Sequence, residues 1–323
     1  MGTPILDVKD LRTYFITSRS VVKAVDGVSF HVDENETLGI VGESGCGKTV
    51  TCLSILRLVP QPAGRIISGK ILFDGEDILA MSEKQVQKLR GRKISMILQD
   101  PMASLNPVFT IGDQIGEAIA THTKVKKPSL VAKVIEALKL VRIPAPEARI
   151  RDYPHQMSGG MKQRVVGAIS ISCQPRLLIA DEPTTSLDVT IQAQYLQLLK
   201  DIQHELGMTI IFVTHDFGIV ASMCDRVVVM YAGKIVESAP VRDIFYRPAH
   251  CYTASLLKAV PKLKTKVARL VSIEGQPPKL GNLPDGCRFA PRCTRADDRC
   301  LRDEPPLLAV GDNHYASCWY PPE

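Results

Sequence analysis

Gly42-Glu-Ser-Gly-Cys-Gly-Lys-Thr49 fits the pattern G-x-x-x-x-G-K-[ST] in full. It follows the short apolar run Thr37–Val41 and precedes the helical Val50–Leu56, so the strand–loop–helix setting that the pattern needs is present. Glycines at 42, 45 and 47 let the backbone curl and turn its N–H groups inward. At a helix N-terminus such donors bind anionic phosphate oxygens. Ser44 and Cys46 belong to the same cradle, and Cys46, at a variable position, needs no catalytic role. Lys48 is placed to neutralise β and γ phosphates, and Thr49 to set its hydroxyl on Mg²⁺.

A second stretch completes a hydrolytic site. Leu177-Leu-Ile-Ala-Asp181-Glu182 is an apolar strand that ends in two acids. Carboxylates at a strand's C-terminal end lie where α/β sheets bind ligands. Asp181 is suited to holding Mg²⁺, and Glu182 to polarising the water that attacks the γ phosphorus.

The rest of the chain fits that frame. Its 323 residues carry 40 Lys+Arg against 34 Asp+Glu, a net +6, with 45% hydrophobic residues. That excludes disorder, collagen and coiled coil as the main state. A charge this mild over this length gives no argument for nucleic acid. No run reaches the ~18 apolar residues that suggest a membrane span. The N-terminal residues do not resemble a secretory signal, so the expected compartment is the cytoplasm. Ile5–Phe15 and Val28–Val32 alternate as half-buried strands do. Ile66–Phe73 is another strand, followed by the turn Asp74-Gly75. Ile94–Leu98, Leu177–Ala180, Thr209–Val213 and Arg226–Met230 are short apolar runs, as in a buried, mostly parallel sheet. Between about 108 and 150 the period turns helical, as in Leu130–Leu140.

Met157-Ser158-Gly159-Gly160-Met161-Lys-Gln-Arg164 resembles the signature motif of ATP-binding-cassette (ABC) ATPases, with Met where the common motif has its first Leu and last Gln. The resemblance implies an α/β P-loop cassette: a RecA-like core with an antiparallel β subdomain and a helical subdomain. The cassette is expected over residues 1–250, with its helical subdomain at about 101–163. ATP and Mg²⁺ are the implied ligands. Ser158, Gly159 and Gly160 would contact the ATP held by a partner subunit. Gln99, in Ile97-Leu-Gln-Asp-Pro101, resembles the residue linking the metal site to the helical subdomain, and would act with Glu182 and the metal. Ser186-Leu187-Asp188 resembles the loop that meets the opposite subunit. His215, in Val213-Thr-His-Asp216, resembles the switch His at the γ phosphate. Phe15 is expected by spacing to stack on adenine, with Tyr14 as the alternative. The resemblance also implies a dimer that drives two transmembrane permease subunits, docked through residues 101–163. The protein would sit peripherally at the cytoplasmic face of the membrane.

The tail narrows the resemblance. Residues 251–323 hold five of the nine cysteines and nine of the 22 prolines, a composition shift that places a boundary near residue 250, with Lys258 to Arg269 as connector. Arg247-Pro-Ala-His250-Cys-Tyr252-Thr-Ala-Ser-Leu-Leu is similar to the "HPYT…LL" segment of dipeptide/oligopeptide importer ATPases. Leu283-Pro-Asp-Gly-Cys287-Arg-Phe-Ala-Pro-Arg-Cys293, with Cys300 and Cys318, is similar to the extension of their D-type subunits. A small Pro/Cys-rich module over 251–323 is expected. By chemistry, four thiolates in such a module can close around a metal centre. The D-type resemblance implies a 4Fe–4S cluster on Cys287, Cys293, Cys300 and Cys318; zinc and unligated thiols stay open. Arg288, Arg292, Arg295 and Arg299 interleave these positions and could offset a thiolate cluster's charge, or be plain surface arginines. Cys251 reads as a packing residue. The implied partner is a related F-type ATPase subunit or a second copy, with an external peptide-binding protein in the full system. A nickel importer and a non-transport cassette ATPase are the competing readings.

Overall fold

The computed structural model describes residues 4–185, 187–260 and 272–322, without the side chains of residues 101 and 102. Ser186 and most of the expected connector lie outside the described residues. Two compact units result. One comprises residues 1–32, 37–79 and 214–323, the other 33–36 and 80–213.

The first unit holds an antiparallel sheet in the order Val21–Val32, Leu6–Ile16, Gly64–Phe73 and Glu76–Asp77. Leu6 and Val8, then Leu11 and Thr13, are buried; the alternation shifts by one residue between Val8 and Leu11, where the register breaks and Asp10 takes φ 44°. Asp74 and Gly75, at φ 52° and 79°, form the two-residue turn that closes the last hairpin. The strand Val21–Val32 is longer than its alternation suggests, because the polar breaks at Lys23 and Asp26 are inside it.

The same unit holds the wholly buried strand Thr37–Val41, parallel to Arg226–Tyr231. Lys234–Pro240 then pairs antiparallel with Arg226–Tyr231, His314–Ala316 with Lys234–Pro240, and Leu308–Gly311 with His314–Ala316. Beyond the helix Cys251–Ala259, the described part of the proline-dense tail contributes the short strands Leu308–Gly311 and His314–Ala316 and the short helices Ala290–Arg292 and Asp298–Arg302. One core unites tail and cassette: Val41, Val227, Val229 and Tyr231 pack with Tyr252 and Phe289. The Tyr231 and Tyr252 ring centroids are 4.5 Å apart, and Phe289 meets both at 5.3 Å.

In the second unit Ile94–Ile97, Leu177–Asp181 and Thr209–Thr214 run parallel. Every residue of the last two strands is buried, which is why they read as continuous apolar runs. Helices Ile111–His122, Lys127–Leu140, Gly159–Ile171 and Val189–Leu206 belong to this unit. Thr110 and Asp113 form a capping box at the first of these. Among the described residues no helix is long and apolar enough to cross a membrane.

Candidate functional site

In the first unit the loop Gly42–Gly47 joins the strand Thr37–Val41 to the helix Lys48–Ile55. Gly47 caps that helix at φ 109°, and a Cβ there would collide with the Ala24 carbonyl oxygen. Only glycine satisfies both demands. The Lys48 ammonium is buried and donates to the carbonyls of Gly42 at 2.7 Å and Glu43 at 3.1 Å, so it lies folded inside the loop. Ser44 and Gly45 are exposed on the loop, and Thr49 is half-buried at the helix start. The Cys46 thiol is buried, which pushes its pKa up, in keeping with a non-catalytic role.

Phe15 and Tyr14 take different surroundings. The Tyr14 hydroxyl donates to Asp26 at 2.6 Å, while Phe15 is half-buried and pairs in register with Gly64. His215 is exposed just past the strand Thr209–Thr214, and Asp216 after it caps the helix Phe217–Met223.

The second unit brings two predicted residues together. Glu182 follows the strand Leu177–Asp181 at φ 46°, a left-handed conformation rare outside glycine. Its carboxylate accepts from Gln99 Nε2 at 3.5 Å and from Thr185 Oγ1 at 3.2 Å. Asp181, at the end of the strand, is fully buried. Thr185 was not singled out by sequence reading, although its place three residues after Glu182 is that of an ST-type contact.

Ser158 caps the helix Gly159–Ile171, its hydroxyl accepting from the Met161 N–H at 3.3 Å. Ser158 and Gly159 are exposed. Gly160 leaves no room for a side chain, because Ile191 packs against it. Asp188 is exposed and caps the helix Val189–Leu206 through the Ile191 N–H at 2.9 Å.

The tail cysteines converge. Cys287, Cys293, Cys300 and Cys318 line one small cavity, and Cys251 lines it with them. Cys251 is buried in the hydrophobic core as well as bordering this cavity. Its thiol donates to the Tyr320 carbonyl at 3.8 Å, and its closeness holds the Cys293 and Cys318 thiols below the usual thiol range. Burial raises Cys287 to about 11 and lowers His250 to about 4, so the His250 ring is neutral and accepts the Tyr252 N–H. Among the described residues no three His, Cys, Asp or Glu side chains stand close enough to hold a metal ion. The expected metal set on Cys287, Cys293, Cys300 and Cys318 therefore converges on a cavity without closing to ion-binding distance.

The interleaved arginines also differ from expectation. Arg288 is buried and donates to Asp26 and, at 2.6 Å, to the Ala232 carbonyl. The Arg292 side chain is buried against Glu43. Arg299 lies 3.5 Å over the Trp319 ring. Only Arg295 lines the thiol cavity. Two of the four therefore hold the cassette.

A glycine-rich loop before a helix, together with an acid-tipped buried strand, defines a P-loop ATPase. A family profile described as "ABC transporter" matches residues 25–185, and one described as "Oligopeptide/dipeptide transporter, C-terminal region" matches residues 236–300. The chain is 50% identical over 98% of its length, and 94% of the relative's, to a protein of Sinorhizobium fredii named probable peptide ABC transporter ATP-binding protein y4tR. It is 50% identical over 98% of its length, and 89% of the relative's, to the oligopeptide transport ATP-binding protein OppD of Bacillus subtilis. The solved structure of cbiO1 from Clostridium perfringens, part of the ABC transporter complex cbiONQ, is 30% identical, with TM-score 0.66, covering 76% of this chain and 92% of that one. The ATP-binding cassette MJ0796 bound to ADP and Pi shares the fold, at 24% identity and TM-score 0.65, over 73% of this chain and 99% of that one. The chain belongs to the ABC transporter family of ATP-binding proteins.

Proposed function

We propose that this chain is the ATP-hydrolysing subunit of an importer of dipeptides or oligopeptides. The Glu182 carboxylate, held by Gln99 and Thr185 at the end of a buried strand, is the observation that carries the hydrolytic reading. A carboxylate so held is aimed rather than free to rotate, as a base acting on water needs. The loop Gly42–Thr49 binds the ATP phosphates, with Lys48 released from the loop carbonyls onto them. Thr49, Asp181 and Gln99 would hold Mg²⁺, which would offset the charge of the phosphates. Phe15 stacks on adenine, and His215 senses the γ phosphate. Ser158, Gly159, Gly160 and Asp188 meet the nucleotide of a partner ATPase subunit, a related F-type chain or a second copy. The exposure of Ser158, Gly159 and Asp188 supports that reading.

The cargo reading rests on relatives named for peptide transport at about half identity over nearly the whole chain. Two permease subunits and an external peptide-binding protein complete the machine, with this subunit peripheral at the cytoplasmic face. Residues 251–323 form its C-terminal extension. We assign a 4Fe–4S cluster to Cys287, Cys293, Cys300 and Cys318; four thiol donors about one cavity support it. Such a group supplies a cross-link between distant parts of a small module.

Glu182→Gln tests the hydrolytic reading: ATP binding persists and turnover falls at least ~10²-fold. Turnover near the parent rate would remove the role. Restoring peptide uptake to a strain lacking its own importer ATPase supports the cargo; nickel uptake instead would replace it. Visible absorbance lost on Cys293→Ser supports the cluster, and a colourless parent with no bound iron would overturn it.

A further inference from the structure

We propose that Tyr252 and Arg292 are positioning residues for the nucleotide, gripping Glu43 so that the phosphate-binding loop keeps its shape and carries no uncompensated negative charge. Glu43 immediately follows Gly42 in that loop. Each of its polar groups is taken. Its N–H donates to the Tyr252 hydroxyl at 2.9 Å. Its carbonyl accepts from Lys48 at 3.1 Å and from the Cys46 N–H at 3.2 Å. Its carboxylate accepts two bonds from Arg292, at 2.7 Å and 3.0 Å.

Both gripping side chains are themselves fixed. Tyr252 is fully buried against Tyr231 and Phe289. The Arg292 side chain is 4% exposed, and it also donates to the Glu274 carbonyl at 3.0 Å and the Tyr231 hydroxyl at 3.3 Å. A planar guanidinium suits a two-bond grip of this kind, where a lysine would make a single point contact. The two residues adjoin Cys251 and Cys293 in the chain, and those thiols line one cavity.

The charge argument gives the role its sign. The loop exists to receive a triphosphate, and a carboxylate within it repels that ligand unless a cation cancels it. Arg292 is that cation. The inference rests on the reading of Gly42–Thr49 as the nucleotide site.

The test is Mg-ATP affinity of the intact protein by titration calorimetry, with steady-state ATPase kinetics. Arg292→Ala should weaken affinity about tenfold, and Tyr252→Phe about threefold, while kcat at saturating ATP stays within about twofold. Adding Glu43→Gln to Arg292→Ala should restore affinity to within about threefold of the parent, and 0.5 M salt should shrink the Arg292→Ala defect. Glu43→Gln alone leaves a spare positive charge and should tighten binding about threefold, where mere loss of structure would weaken it. That variant carries the test if Arg292→Ala does not fold. Lys48→Ala separates the two layers. If it abolishes binding while the Arg292 and Glu43 variants leave affinity unchanged, the grip is refuted and the nucleotide site stands. If Lys48→Ala itself changes nothing, the nucleotide site falls, and the grip with it.

Discussion

The guanidinium of Arg288 meets the carboxylate of Asp26 across 262 residues of chain. Both side chains are about nine-tenths buried, and Arg288 also caps the Ala232 carbonyl. Burial works against the charge on Asp26, but hydrogen bonds from Tyr14 and Arg288 outweigh it and hold the carboxyl below its ordinary value of 3.8. Asp26→Ala leaves the buried Arg288 with the more distant Glu304, at 3.9 Å, and should lower stability by about 3 kcal/mol, read from thermal or urea unfolding.

The same pair sets a pH dependence. A carboxyl whose folded pKa is depressed contributes in full above its unfolded value and loses that contribution as pH falls through the folded one. The parent should therefore lose stability in acid below about pH 4 more steeply than Asp26→Asn. Melting temperatures measured between pH 6 and pH 3 decide it, and parallel curves would count against the pair.

Gln99→Ala removes one of the two side chains that orient Glu182. Hydrolysis should fall about tenfold, with affinity for ATP measured without Mg²⁺ within about twofold of the parent, because the base stays but loses its aim. Equal losses in affinity and turnover would mean that Gln99 acts on the fold instead.

Gly47→Ala forces a side chain into φ 109° and against the Ala24 carbonyl. It should destabilise the protein by about 2 kcal/mol and abolish nucleotide binding measured by calorimetry, since the helix N-terminus must shift.

Phe289→Ala empties the position where the tail meets Tyr231 and Tyr252. A cost of about 3–5 kcal/mol is expected. Cleavage by a protease should then speed up within residues 272–322 before the rest of the chain is cut.

Much of the fold was legible because its signals are local. The loop Gly42–Thr49 and the strands Thr37–Val41 and Leu177–Asp181 are contiguous runs whose chemistry needs no distant partner. The strand Lys234–Pro240 escaped notice because Glu237 interrupts its apolar pattern. That carboxylate is fully buried, and it is satisfied only by groups far along the chain: the N–H groups of Ala249 and His250 and the His314 ring. The contact between Gln99 and Glu182 was within reach, since both were expected near one metal. The roles of Arg288 and Arg292 were not, because spacing among cysteines says nothing of what lies across the fold. Cys251 joined its fellow thiols for the same reason, through a helix register that no local pattern displays.

The two-bond hold of Arg292 on Glu43 spans 249 residues. At ribosomal speeds of about 5–20 residues per second, roughly 12–50 s separate the synthesis of one from the other. Through that interval the nascent cassette carries its phosphate loop without Arg292, and for most of it without Tyr252. Final tuning of the nucleotide site thus waits until residue 292 has been made, and a ribosome that stalls before codon 292 yields a product lacking it.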